Sequence, residues 1–172
     1  KRLGGDGLGL KLGEGDTARD VFAEHLRGAF GETMGVDLSG ISTSEMIDSI
    51  EYFCFPNMMI FPGISFPMVY RFRPDGDNVD QCIFDLMFLT PTPEGESAPP
   101  APEAIKVNIE ISYTDVEGMD PRLGFIYDQD TDNLERQTKG IKASRKSGQT
   151  LGNYQEVRIR QVRQTLDKYL AN

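Results

Sequence analysis

Three aspartates alternate along FIYDQDTDNLERQ, residues 125–137: Asp128, Asp130 and Asp132. Carboxylates at this spacing can hold a hard cation, because Asp-x-Asp-x-Asp opens an EF-hand calcium loop. The rest of that loop is missing. Asn133 stands where its sharp turn needs Gly, and Lys139 stands where its bidentate Glu is required. Helical geometry separates the three carboxylates instead. Leu123, Tyr127, Leu134 and Ile141 form an apolar stripe, and position 130 falls inside it. Asp128 and Asp132 each lie about 200° away around a helix, on the opposite side. Asp130 is therefore expected to point into the core, with its two neighbours toward solvent. A buried carboxylate must be paired, hydrogen-bonded or bound to a metal. Three roles stay open for it: partner of a nearby backbone or Arg, metal ligand, and catalytic acid or base.

Other reactive side chains are sparse. The single histidine, His25 in AEHLRGAF, reads as an ordinary helix residue. Cys54 and Cys82 sit in apolar runs, where free cysteines act as small hydrophobes. They form neither a disulfide framework nor a CxxC metal knuckle, which reads as cytoplasmic. The glycines of GGDGLGLKLGEG do not satisfy GxGxxG, and no P-loop Lys-Ser/Thr follows. Residues 1–16 read as a flexible Gly-rich lead-in.

The elements that must position these residues follow from periodicity. Residues 17–34 read as an amphipathic helix with Phe22, Leu26, Ala29 and Phe30 on one stripe. A short helix is expected at 43–50, capped by Ser42 or Thr43. Residues 50–90 are rich in aromatic and β-branched residues broken by Pro and Gly, a strand pattern. PDGDN at 74–78 signals a turn, so 64–73 and 79–90 should form an antiparallel hairpin. A Pro-rich loop at 91–104 precedes an alternating segment, 105–113, that reads as a half-buried strand of the same sheet. Asp120-Pro121 starts a helix running to about 147. Asn153 and Glu156 suggest a capping box for a last helix at about 154–170. The expected fold is α+β, an antiparallel sheet covered by long C-terminal helices.

Charge and hydropathy exclude several classes. The 172 residues carry a net charge of −9, which disfavours nonspecific nucleic-acid binding. Residues 135–172 hold nine basic and three acidic side chains, a solvated helix face or a dock for an acidic partner. No apolar run is long enough for a transmembrane helix, and none at the start reads as a signal peptide.

FPNMMIF at 55–61, YRFRPDGDN at 70–78, DQDTDNL at 128–134 and LGNYQEVRIR at 151–160 occur in this order. Together they resemble the C-terminal catalytic domain of the α subunit of Rieske-type aromatic ring-hydroxylating dioxygenases. The resemblance spans about residues 50–172 and implies a helix-grip (START-like) fold, a curved antiparallel sheet gripping a long helix. It makes 17–172 the catalytic domain, the C-terminal part of a longer chain. It also implies a mononuclear non-haem Fe(II) held by two histidines and an aspartate, leaving positions open for O2. The residue matching that aspartate is Asp130, as metal ligand and catalytic residue. The His-x4-His segment and the C-x-H…C-x-x-H signature of the [2Fe–2S] Rieske cluster are expected upstream, since this chain has neither. By the same resemblance, Phe55, Asn57, Met59, Phe125, Ile126 and Tyr127 flank the aromatic substrate, although each could equally be core. Asn57 stands out as a polar side chain within an apolar run.

The implied activity is O2-dependent hydroxylation of an aromatic ring. Electrons would come from NAD(P)H through a ferredoxin or reductase. The implied assembly is an α-subunit trimer, with or without a small β subunit. Rival readings are a non-catalytic helix-grip module binding an apolar small molecule, and a degenerate subunit sharing only the fold. With a single ligand of the triad, the chain alone is expected to hold iron weakly.

Overall fold

The structure, a computed structural model, describes residues 9–93 and 95–171. The first eight residues of the Gly-rich lead-in therefore lie outside the described residues. The chain forms two compact units that divide between Pro99 and Pro100, inside the Pro-rich loop.

The first unit begins with helix α1, Ala18–Met34. Thr17 caps it by accepting from the Asp20 N–H, and Gly35 ends it in the left-handed region at φ 66°. Helix α2, Thr43–Ile47, starts at a capping box in which Ser42 and Glu45 satisfy each other's backbone N–H. It is shorter than the sequence pattern suggests, ending at an extended Asp48. Ala23, Leu38 and Met46 form a small core, with Leu26, Phe30, Ile41 and Ile64 packed on it. Arg19 ties the two helices together by gripping both carboxylate oxygens of Asp48 at 2.7 and 2.5 Å.

A four-stranded antiparallel meander follows: β1 Tyr52–Cys54, β2 Met58–Phe61, β3 Met68–Asp75 and β4 Asn78–Phe88. The β3–β4 hairpin is the one signalled by PDGDN, with Gly76 in its turn at φ 59°. The link between β2 and β3 is fastened to α2. The Ile64 N–H donates to the Glu45 carbonyl at 2.9 Å, and the Ser65 hydroxyl donates to that of Met46.

Alternation gives the sheet two unlike faces. Register places Met59, Phe61, Met68, Tyr70, Phe72, Phe84 and Leu86 on one face. Its rings interlock, with centroids 4.9 Å apart for Phe61–Tyr70, 5.2 Å for Tyr70–Phe84 and 4.9 Å for Phe72–Phe84. The other face carries Arg71, Arg73 and Asp85. Cys54 and Cys82 are exposed on their strands rather than packed as small hydrophobes.

The segment 105–113 does not join the sheet. It is irregular up to a 3₁₀ turn at Tyr113–Asp115, and Ile109 is 85% exposed. Its alternation sets an apolar edge, but a strand also needs a partner to satisfy its backbone, and none of the described strands pairs with it. Helix α3, Pro121–Ala143, starts where Asp120-Pro121 predicts, with the Asp120 carboxylate accepting from Arg122 and Leu123 N–H groups. Helix α4 is Val157–Leu170. The expected capping box at Asn153 does not form. Glu156 occupies the N-cap and its side chain reaches back to the Gly152 N–H instead.

The architecture is α+β, an open antiparallel sheet with helices, consistent with a helix-grip fold. Among the described residues, no helix is long and apolar enough to cross a membrane.

Candidate iron-ligand helix and substrate face

Helix α3 carries the three aspartates, and each meets a different fate. Asp128 is half-buried. Its Oδ1 accepts from the Tyr113 N–H at 2.8 Å and its Oδ2 from the Ser112 hydroxyl at 2.5 Å. Asp132 pairs with Arg136 one helical turn on, at 2.6 Å. Asp130 is exposed, and no hydrogen bond or ion pair reaches it among the described residues.

This reverses the expected facing. The apolar stripe does include position 130, but the stripe is not what the second unit buries. The 3₁₀ turn lies over Gly124, Tyr127 and Asp128, an i, i+3, i+4 set. Only Tyr127 belongs to both faces. Leu134 and Ile141 are about half exposed, at 53% and 51%. Asp130 thus stands among apolar neighbours that its own unit leaves uncovered, and Asp128 takes the interior place.

The 3₁₀ turn seats closely. A Cβ on Gly124 would stand 2.9 Å from the Tyr113 carbonyl carbon and 2.9 Å from the Thr114 nitrogen, so only Gly fits. The Tyr113 and Tyr127 rings meet at 5.7 Å. Burial, reinforced by the nearby Asp128 charge, pushes the Tyr113 phenol above its ordinary value.

The residues expected to touch substrate fall in both units. Phe125 and Ile126 are exposed on α3, whereas Tyr127 is 3% exposed and packs as core. Met59 lies on the aromatic sheet face, opposite Tyr70. Phe55 is half-buried and joined to Pro56 by a cis peptide. Asn57 has a structural partner, since its Nδ2 donates to the Phe72 carbonyl at 2.6 Å while its own carbonyl accepts from the Phe72 N–H at 2.9 Å. The polar side chain in an apolar run thus completes the start of the β2–β3 ladder.

Two features escaped the sequence reading. One is the latch formed by Asp128, Ser112 and Tyr113. The other is Asp85, which binds the Nε of Arg73 at 2.6 Å and of Arg71 at 2.8 Å. The hydrogen bond from Arg73, more than that from Arg71, holds the Asp85 carboxyl well below the usual carboxylate range, against an opposing effect of burial. The alternating arginines of YRFRP were the available signal, because period two puts both on one face.

A family model for the catalytic domain of the ring-hydroxylating alpha subunit matches residues 23–172. The chain belongs to this family. No curated protein and no solved structure matches it at a significant level. Residues 23–172 therefore belong to the catalytic-domain family of ring-hydroxylating oxygenase α subunits, a family that generally uses non-haem iron. The described residues contain no cluster of three or more His, Cys, Asp or Glu able to enclose a metal ion. Asp130 fits one place in such a donor set, being a carboxylate that no cation or donor of its own unit has claimed.

Proposed function

We propose that this chain supplies the carboxylate iron ligand and part of the substrate pocket of a Rieske-type aromatic ring-hydroxylating dioxygenase. Asp130 is the ligand and His25 is not. The observation that carries the reading is the sorting of the three aspartates. Asp128 is committed to the 3₁₀ turn and Asp132 to Arg136, which leaves Asp130 unpaired on an apolar helix face. An exposed carboxylate with no other partner keeps its oxygens available to a hard cation such as Fe(II). The bound iron supplies O2 activation, with electrons from NAD(P)H passing through a ferredoxin or reductase and a [2Fe–2S] Rieske cluster held elsewhere in the oxygenase. Two histidines outside residues 1–172 complete the triad.

Each unit by itself offers apolar surface suited to a substrate ring. Phe125 and Ile126 are exposed one turn before Asp130, and Met59 sits on the ring-lined face of the sheet. An aromatic ring needs such surfaces, with few polar groups to fix its orientation. Tyr127 supports the helix from below, and Asn57 fixes the strand start that carries Met59. The working assembly is an α-subunit trimer, with or without a β subunit.

The test is turnover of the intact oxygenase with NADH, its electron-transfer partners and a panel of aromatic substrates under labelled O2. Label should enter the ring in wild type and fall to background in Asp130→Ala. Ring hydroxylation at wild-type rate in Asp130→Ala would refute the assignment.

A further inference from the structure

We infer that Asp128 is a positioning residue for Asp130: it locks the rotation of α3 about its axis and so aims the ligand carboxylate. The inference rests on the reading of Asp130 as iron ligand and adds a role that the reading does not require.

Three contacts of different kinds hold one side of α3 against the 112–115 segment. Gly124 allows backbone to touch helix, with the close approach already described. Tyr127 packs its ring on Tyr113. Asp128 accepts from both the Ser112 hydroxyl and the Tyr113 N–H. The first two hold the surfaces together by close packing and involve no directional bond. The Asp128 bonds are directional and charge-assisted, so they fix the azimuth. The Ser112 hydroxyl also meets Thr114 Oγ1 at 2.6 Å, which ties this donor into the turn itself.

Asp130 lies about 200° around the helix from Asp128. A side chain on the far side of a rolling cylinder moves as far as the near side does. Nothing else among the described residues holds the Asp130 carboxylate, so the helix azimuth sets the Cα–Cβ direction from which its staggered rotamers reach. A ligand off by about an ångström is a poor ligand, and supporting partners of metal ligands typically matter by about 10-fold to 100-fold in affinity.

The test uses the intact oxygenase and four variants: Asp128→Ala, Ser112→Ala, the double variant and Asp132→Asn as control. Three quantities are read: Fe(II) affinity by titration of the apoprotein, melting temperature, and the EPR spectrum of the Fe(II)–nitric oxide complex. The last reports ligand geometry at the iron and is insensitive to stability. Asp128→Ala should weaken Fe(II) binding about tenfold and shift or broaden the nitrosyl spectrum. Ser112→Ala should move both in the same direction, and the double variant should be no worse than Asp128→Ala, since the pair acts as one bond. Asp132→Asn should match wild type. A lowered melting temperature with wild-type affinity and spectrum in Asp128→Ala would make the latch merely structural and overturn the inference. Should Asp128→Ala fail to fold, Ser112→Ala decides on the same readouts. Wild-type iron affinity in Asp130→Ala would overturn this inference together with the reading beneath it, whereas iron lost there but unaffected by Asp128→Ala and Ser112→Ala would overturn this inference alone.

Discussion

At the scale of single residues, the fate of a carboxylate is decided by what donors lie within reach. Asp85 shows the strongest case. Its oxygens are taken by Arg71 and Arg73, and its folded carboxyl titrates below its unfolded value. A depressed folded value contributes stability that is fully present above the unfolded range, around 3.8 for an aspartate. That contribution is lost as pH falls through and below this range. The sheet unit should therefore weaken on acidification from about pH 5 downward. Asp85→Asn should flatten this acid limb and lower the melting temperature at neutral pH by about 3 °C, the loss expected when roughly 1 kcal/mol goes with a half-exposed ion pair. Melting curves across pH check both, and an unchanged acid limb in Asp85→Asn would assign the pH dependence elsewhere. Part of this was legible beforehand, since the spacing of Arg71 and Arg73 announces a shared face. That Asp85 meets them was not. Continuing the pairing of Asp75 with Asn78 would place Val79 opposite Pro74, but the ladder pairs Pro74 with Cys82, a shift of three residues. An odd shift exchanges the two faces of β4, and a bulge of this kind leaves no plain mark in composition.

At the scale of elements, periodicity located α1, the hairpin and the start of α3, where caps and turn residues fix the ends. Helix α3 stops at Ala143 rather than about 147, and α4 starts at Val157 without the expected box. Periodicity failed where an element's state depends on a partner. Residues 105–113 alternate as a strand should, yet no described strand pairs with them and they stay irregular. The same lesson applies to α3, whose apolar stripe is readable but whose buried face is chosen by the 3₁₀ turn. Asp130 and Asp128 exchange their expected places for that reason. Two glycines of α3 separate the effects. Gly124→Ala should destabilise by about 1–3 kcal/mol, since the new methyl meets backbone atoms of Tyr113 and Thr114 that cannot easily retreat. Gly140→Ala meets nothing within 4 Å and should stabilise by about 0.5–1 kcal/mol through helix propensity alone. Chemical denaturation of both variants checks the pair, and equal effects would mean that the turn does not seat on the helix.

At the scale of the whole molecule, residues 23–172 match the catalytic domain of the ring-hydroxylating alpha subunit, and Asp130 is the one iron ligand proposed within the chain. The four sequence segments were enough to reach that family, because their order and spacing are specific even though each alone is weak. The proposed ligand, Asp130, was named by resemblance, while the helical-face argument expected it in the core and the structure leaves it exposed. One carboxylate cannot hold Fe(II) firmly, so the purified 172-residue chain should contain far less than stoichiometric iron and show no Rieske signal after reduction. Stoichiometric iron in it would mean that His25 or other carboxylates complete a site. The central claim rests on Asp130 and is tested most directly by elemental iron analysis of the intact oxygenase with Asp130→Ala, read beside Asp132→Ala. The account predicts that Asp130→Ala loses the mononuclear iron while the cluster signal persists, and that Asp132→Ala keeps both. Full mononuclear iron in Asp130→Ala, or its loss from Asp132→Ala alone, would contradict it.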